Sequence, residues 1–470
     1  MSRFAILSLA AVAMFASPTV ADERPNIVVA IADDWSWPHA SAYGDPAVKT
    51  PAFDRVAAEG AIFAKAFCAA PSCTPSRGAL LTGRVPHRLG EGGNLWSRLD
   101  RSIPTYPDIL EAAGYAVGLT GKGWGPGSME GTGRPHNPAG PPVKGFAEFL
   151  DRVPAGRPFC YWFGGQDPHR PYEPGFGRAS GIDPAKIVVP GFLPDTPAVR
   201  DDIADYLGEI ERFDRLLGAI LDTLDARGLA NDTIVVVTSD NGMPFPRAKA
   251  NLYDAGTRVP LAVRWPARIE KGSRIDAYMT LTDLAPTLLD AAGLAVPEGL
   301  DGRSLLPLWH GDDPSGFDRV FVERERHANV RAGDLGYPAR ALRTADFLYV
   351  RNLAPDRWPA GDPTMYRAVG DYGDIDGSPS KDLLIRSRDD PKLGPYSIRA
   401  LDRRPAEELY DLANDPDQLA NVADEPKYAS TLAELRAEVD RWRVATDDPT
   451  LDDPGRFDRF PYYGQQRPRP

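Results

Sequence analysis

Apolar positions along this chain follow two periods. The first is a continuous run: Ile27-Val28-Val29-Ala30-Ile31-Ala32 follows Pro25-Asn26 without a polar interruption. A β-branched run of this kind, bounded by polar residues, predicts a strand buried on both faces, as in a parallel sheet. Ala116 to Thr120, Phe159 to Phe163 and Thr233 to Thr238 repeat the pattern. The second period is helical. From Val199 to Leu229, the residues Ile203, Leu207, Ile210, Phe213, Leu217, Ile220 and Leu224 recur at helical spacing, and Gly228 stands where a cap belongs. Helix feeding strand predicts an α/β fold: a large mixed, mostly parallel sheet sandwiched by helices.

A second region is expected over 336–470, after a catalytic domain spanning 22–335. Leu342 to Arg351 reads as a strand pair, and Glu408 to Leu412 as a short strand before the turn-rich Ala413 to Asp417. Tyr428 to Val444 carries Leu432, Leu435, Val439 and Trp442 at helical spacing. These elements predict a smaller C-terminal α+β domain. Its Asp-, Pro- and Arg-rich tail, from Asp447, either wraps the body or is disordered.

The N-terminus predicts export. Arg3 gives a thin positive start, and Phe4 to Ala16 is mostly apolar but shorter than the ~20 residues of a membrane span. Thr19-Val20-Ala21 offers compact residues before a cleavage point at Asp22. Residues 1–21 therefore read as a signal peptide, and the product as periplasmic or secreted. No later apolar run is long enough to span a membrane. A formal charge of −12 argues against nucleic acid and anionic membranes, which need a basic footprint. It does not exclude an anionic substrate, because a pocket can be locally basic. Cys68, Cys73 and Cys160 form no disulfide framework, and one of them must stay unpaired.

Candidate chemistry collects at strand ends. The expected strands lead into Asp33-Asp34, Gly121-Lys122, Asp167-Pro168-His169 and Ser239-Asp240-Asn241-Gly242. Ligands of open α/β sheets bind outside the carboxyl ends of strands, so one rim would gather these groups. Asp33, Asp34, Asp240 and Asn241 are hard oxygen donors that suit Ca²⁺ or Mg²⁺. A lone Asp after a strand is more often a turn or cap residue, but two pairs at separate strand ends favour a metal. Cys73-Thr74-Pro75-Ser76-Arg77 precedes Gly78 to Gly83, and Pro75 suits a first helical turn. Cys73 would then sit at a helix N-terminus, where the dipole could favour a thiolate.

Cys-x-Pro-x-Arg with Leu80 and Thr82-Gly83 resembles the signature of the type I sulfatases, in the alkaline phosphatase superfamily. Pro25-Asn26 with Asp33-Asp34, Thr120-Gly121-Lys122, Asp167 to Tyr172 and Thr238 to Gly242 match in family order, as do Leu409-Tyr410-Asp411 and Asp415-Pro416. Within the family the chain is similar to the heparan N-sulfatase (N-sulfoglucosamine sulfohydrolase) branch and its bacterial relatives. Asn241 to Pro246, Asn251-Leu252-Tyr253, Gly256-Thr257, Val189-Pro190 and Leu193 to Pro197 carry that likeness.

The resemblance implies an alkaline phosphatase-like fold and a formylglycine made from Cys73 by a formylglycine-generating enzyme. Its hydrate would attack the sulfur of a sulfated carbohydrate. One Ca²⁺ would be held by Asp33, Asp34, Asp240, Asn241 and the modified Cys73. Arg77 would hold the diol, while Lys122, His169 and Lys249 ring the sulfate. The branch also implies a possible homodimer. One departure stands out. The family carries Gly-Lys-x-His where this chain has Gly121-Lys122-Gly123-Trp124, and an indole cannot exchange a proton. His136 is the nearest histidine that could substitute, and His327 falls where the branch has a histidine near substrate. Trp124, His136 and His327 are therefore the expected substrate-side residues. Two alternatives remain at this stage: a formylglycine-dependent phosphonate or phosphate ester hydrolase, and an inactive carbohydrate-binding relative.

Overall fold

The structure, a computed structural model, describes residues 24–312, 314–367 and 370–464. The expected signal peptide therefore lies outside the described residues. A seven-stranded sheet forms from Asn26–Ala32 (β1), Ala61–Phe67 (β2), Ala116–Gly121 (β3), Phe159–Gly164 (β4), Thr233–Ser239 (β5), Leu261–Arg264 (β6) and Ser273–Thr280 (β7), in the order β3-β4-β1-β5-β6-β2-β7. β3, β4, β1 and β5 run parallel; β6 is antiparallel to both of its neighbours, and β2 and β7 are parallel again. The four strands expected from apolar runs are the contiguous parallel strands β3, β4, β1 and β5, with β3 at the sheet's edge.

β1 shows why such a run has no polar position. Ile27, Val29 and Ile31 enter the core on one face, and Val28, Ala30 and Ala32 enter the core on the other. With helices on both faces, neither side of the strand meets water. The expected long helix spans Pro197–Ala226, capped by Thr196, whose side chain accepts the Val199 N–H at 3.3 Å. Its Ile203, Leu207, Ile210, Phe213, Leu217 and Leu224 pack into the second face. Gly228 follows with φ +67°, the left-handed conformation that ends a helix and favours glycine.

The second sheet is antiparallel: Val320–Arg324 (β8), Ala339–Arg343 (β9), Phe347–Asn352 (β10) and Glu407–Asp411 (β11), in the order β11-β10-β9-β8. It opens with β8, ahead of the boundary placed at residue 336. β8 is short and ends in Glu323-Arg324, so its apolar run was too brief to read as a strand. The Ala429–Ala445 helix lays Leu432, Leu435 and Val439 on Leu342, Tyr349 and Leu409. Over residues 447–464 the tail wraps the body: Phe457 is buried, Asn94 Nδ2 donates to its carbonyl at 2.9 Å, and Tyr463 N donates to Trp96 O at 2.9 Å. Among the described residues no helix is long and apolar enough to cross a membrane.

Candidate active site

Strand register builds the site. Ala32 lies opposite Ser239, so Asp33 and Asp240 leave the sheet side by side. Ile31 and Gly121 both pair with Gly164, which brings Lys122 to the same edge. Gly164 is required by close approach: a Cβ there would lie 1.7 Å from the Lys122 carbonyl oxygen. Asp34 is held at φ 78°, a strained conformation for a non-glycine residue. Its backbone N–H donates to Asp240 Oδ1 at 3.1 Å, and its carboxylate accepts from Asn241 Nδ2 and Lys249 Nζ, both at 2.7 Å.

Cys73 opens the Cys73–Thr82 helix, every residue of which is buried. Its Sγ stands 3.5 Å from Asp33 Oδ1. One helical turn on, Arg77 Nε donates to Asp240 Oδ2 at 2.7 Å, and Nη1 donates to the carbonyls of Lys122 at 2.8 Å and Gly123 at 3.1 Å. Lys122 Nζ meets Asp33 Oδ2 at 2.6 Å. The Cys73-bearing helix, three strand ends and the Lys249 loop thus interlock through alternating charges.

Burial sets the electrostatics. It pushes the Cys73 thiol well above its usual range; Lys122 opposes this, and Asp33 and Asp240 add to it. Burial therefore opposes the thiolate that the helix N-terminus could have favoured. Burial also pushes Asp33 up, yet Lys122, His169 and Arg77 together hold its carboxyl well below the usual range. Asp240 is raised by burial against the pull of Arg77. Both lysines stay ammonium despite burial, Lys122 beside Asp33 and Lys249 beside Asp34 and Asp376.

The cluster fits a hard divalent cation. Asp33, Asp34, Cys73 and Asp240 each offer a ligand atom within 4.8 Å of the others. Asn241 Oδ1 is buried with no hydrogen-bond partner. A buried acceptor lacking a donor beside three carboxylates is what a cation would satisfy.

Three comparisons bear on what this arrangement is. The family model described as Sulfatase matches residues 25–162 and 143–294. Human N-sulphoglucosamine sulphohydrolase is 32% identical over 480 aligned residues, which cover 91% of this chain and 91% of that protein. The chain belongs to the sulfatase family. An ulvan-active sulfatase of Formosa agariphila is 28% identical, over 93% of this chain and 83% of its own. The fold also matches, at 20% identity and TM-score 0.63, a structure solved in complex with its substrate D-glucosamine-2-N,6-O-disulfate, over 92% of this chain and 99% of that one. The chain is a sulfuric ester hydrolase with an alkaline phosphatase-like fold.

The sulfatase gathers Asp33, Asp34, Cys73, Arg77, Lys122, His169, Asp240, Asn241 and Lys249 in one place. His169 Nδ1 meets the Arg170 carbonyl at 2.6 Å, leaving Nε2 facing the cluster, 3.9 Å from Asp34 Oδ2. His327 is at the margin: buried, it meets Ser72 Oγ through Nδ1 at 2.8 Å, just before Cys73. Burial lowers its pKa to about 4, so the ring is neutral.

Two expected substrate-side residues are corrected. Trp124 belongs to the hydrophobic core, its indole lying against the Gly78 face of the signature helix. His136 turns away: its ring meets the Asn137 carbonyl at 2.9 Å and Glu111 Oε2 at 3.3 Å. Asn137, next to it, pins the Trp124 backbone in both directions at 2.9 Å, and that pinning sends His136 outward. Asp376 is a site residue that the sequence did not disclose. It reaches Lys249 Nζ at 3.2 Å from a loop after β10. Its neighbours Gly373 to Gly377 carry no strand or helix period, so nothing local marked it.

Proposed function

We propose that this sulfatase hydrolyses a sulfate ester or sulfamate on a carbohydrate, with Cys73 matured to formylglycine and one Ca²⁺ held by Asp33, Asp34, Asp240 and Asn241. The observation that carries the reading is the meeting of Cys73 with three carboxylates and Asn241, whose Oδ1 lacks a donor. Similarity to the N-sulphoglucosamine sulphohydrolase supports the sugar substrate. Formylglycine would supply a hydrated aldehyde oxygen as nucleophile toward sulfur. The ion would supply positive charge to that oxygen and to sulfate.

The remaining work falls to side chains. Arg77, fully buried and fixed by Asp240 and the carbonyls of Lys122, Gly123 and Ala32, orients position 73 against Asp240. Lys122 and Lys249, held as ammonium ions, offset charge on the sulfate oxygens. Neither can easily give up a proton, and His327 is neutral. Proton donation to the leaving oxygen or nitrogen is assigned to His169 Nε2; with Nδ1–H donating to the Arg170 carbonyl, Nε2 has a proton to give only as the imidazolium, whose countercharge is Asp34 Oδ2 at 3.9 Å.

Cys73 is 2% exposed, so a formylglycine-generating enzyme must reach it before folding completes. The reading includes export to the periplasm or medium, and a homodimer that light scattering would check. Its central test is sulfate release from N-, 2-O-, 3-O- and 6-O-sulfated sugars beside a phosphonate ester, with mass spectrometry of the Cys73 peptide. Sulfate release with an aldehyde at position 73 is expected. Activity with only a thiol there, or turnover of the phosphonate alone, overturns the reading.

A further inference from the structure

Asp376 comes to the site from the loop between β10 and the Pro379–Arg386 helix. That loop is anchored on both sides. Asp374, two residues earlier, is buried; its Oδ2 accepts from Arg324 and Arg331, each at 2.5 Å, and its Oδ1 from the Ala328 N–H at 3.0 Å. Ile375 packs in a small core with Leu384 and Leu401, and its carbonyl accepts Lys381 Nζ at 2.7 Å. Ser378, two residues later, caps the next helix by accepting the Lys381 N–H at 3.1 Å. The fold thus presents the Asp376 carboxylate at a set place.

Asp376, His169 and Asp34 offer ligand atoms within 4.8 Å of one another. Side-chain exposure orders the group by depth: Asp34 at 0% and Lys249 at 4% form the floor, Asp376 at 23% and His169 at 35% the rim. A carboxylate at the rim of an anion pocket does nothing for sulfate binding, because like charges repel. Lys249 already has Asp34 as a counter-ion at 2.7 Å. Asp376 Oδ2 faces Lys249, whereas Oδ1 takes no hydrogen bond among the described residues. Burial pushes this carboxyl up, but Lys249, His169 and His327 hold it below the usual range, so it stays charged.

An acceptor without a donor, on the rim beside the group that protonates the leaving atom, fits a hydroxyl or N–H of the departing sugar. We propose that Asp376 determines specificity at this site: it accepts a hydrogen bond from a neutral donor next to the cleaved sulfate and excludes sugars carrying a second sulfate or carboxylate there. This rests on the sulfated-carbohydrate reading above. A site built around a hydrogen bond discriminates strongly against an analogue that cannot make it. Partial exposure at the rim reduces the effect to roughly 10- to 100-fold.

The test compares kcat/KM on glucosamine N-sulfate and on the same sugar also sulfated at the neighbouring 3-hydroxyl. If the screen returns an O-sulfated sugar instead, that sugar and its doubly sulfated neighbour form the pair. The native enzyme is expected to prefer the singly sulfated sugar at least about tenfold. Asp376→Asn, which keeps an acceptor and removes the charge, is expected to shrink that ratio about tenfold. Asp376→Ala is expected to raise KM for the singly sulfated sugar. Equal losses on both sugars would assign Asp376 to holding Lys249 and overturn the proposal, as would a native enzyme that cuts both equally. Release of sulfate from no sugar at all would instead bring down the underlying reading.

Discussion

Cys73 and Arg77 occupy successive turns of one buried helix, and their environments differ sharply. Burial, with the neighbouring carboxylates, favours the protonated thiol, whereas the guanidinium beside Asp240 stays charged with both partners fully buried. Arg77→Met leaves a buried carboxylate without its countercharge, an arrangement that costs about 3–5 kcal/mol. Chemical denaturation in a chelator should show a loss of that size, together with loss of sulfate release. His327 makes a second residue-scale prediction. Its pKa falls from an ordinary 6.5 to about 4 through burial. As pH drops below 6.5 the unfolded chain takes up the proton first. The stability linked to this ring is therefore present above pH 6.5 and lost as pH falls through about 4, about 3 kcal/mol in all. His327→Gln should flatten the difference in stability between pH 7 and pH 5 by about 2 kcal/mol.

At the scale of elements, the site depends on how closely strand ends and the signature helix approach one another. Gly164 lets the ends of β3 and β4 close on each other, and the Lys122 carbonyl beside it accepts from both Arg77 Nη1 and Trp162 Nε1. Gly164→Ala drives a methyl into that carbonyl. Backbone cannot rotate away as a side-chain tip can, so a loss of at least about 2 kcal/mol and misplacement of Lys122 are expected. A falling thermal midpoint together with reduced kcat would show it. Trp124 illustrates the same dependence from the core side. Trp124→His restores the family's histidine in sequence but places a smaller, polar ring where the indole lies against Gly78 and Gly127. It should destabilise the protein by about 2 kcal/mol or more and leave the rate of sulfate release no higher.

At the scale of the whole molecule, the second sheet is part of the active site. Tyr253, in the main domain, donates to Glu408 of β11 at 2.7 Å, and Arg343 of β9 meets Asp254 at 2.9 Å. His327 and Asp376 then enter the site from that second region. Ion binding should stabilise this assembly as a unit: at 100-fold excess over its dissociation constant, Ca²⁺ adds about 2.7 kcal/mol. EGTA should lower the thermal midpoint by several degrees and Ca²⁺ restore it, in Cys73→Ala as well as in the active enzyme. A midpoint indifferent to both would remove the metal from the account.

Apolar runs alone determined the four contiguous parallel strands and the long helix, because a strand covered on both faces must be apolar throughout and a half-buried helix must be periodic. The signature around Cys73 and the Asp-Asp and Asp-Asn pairs at strand ends were equally legible, since their residue types and order carry the chemistry. Tertiary structure alone decided which side chains face the cluster. Trp124 and His136 lie near Lys122 in sequence yet point into the core and toward Glu111, because Asn137 fixes the backbone between them. Asp376 lies 127 positions from Lys249 and meets it only because Asp374 is clamped by two buried arginines. Local pattern records what a residue's immediate chain needs; contacts across such distances exist only once the two sheets have packed.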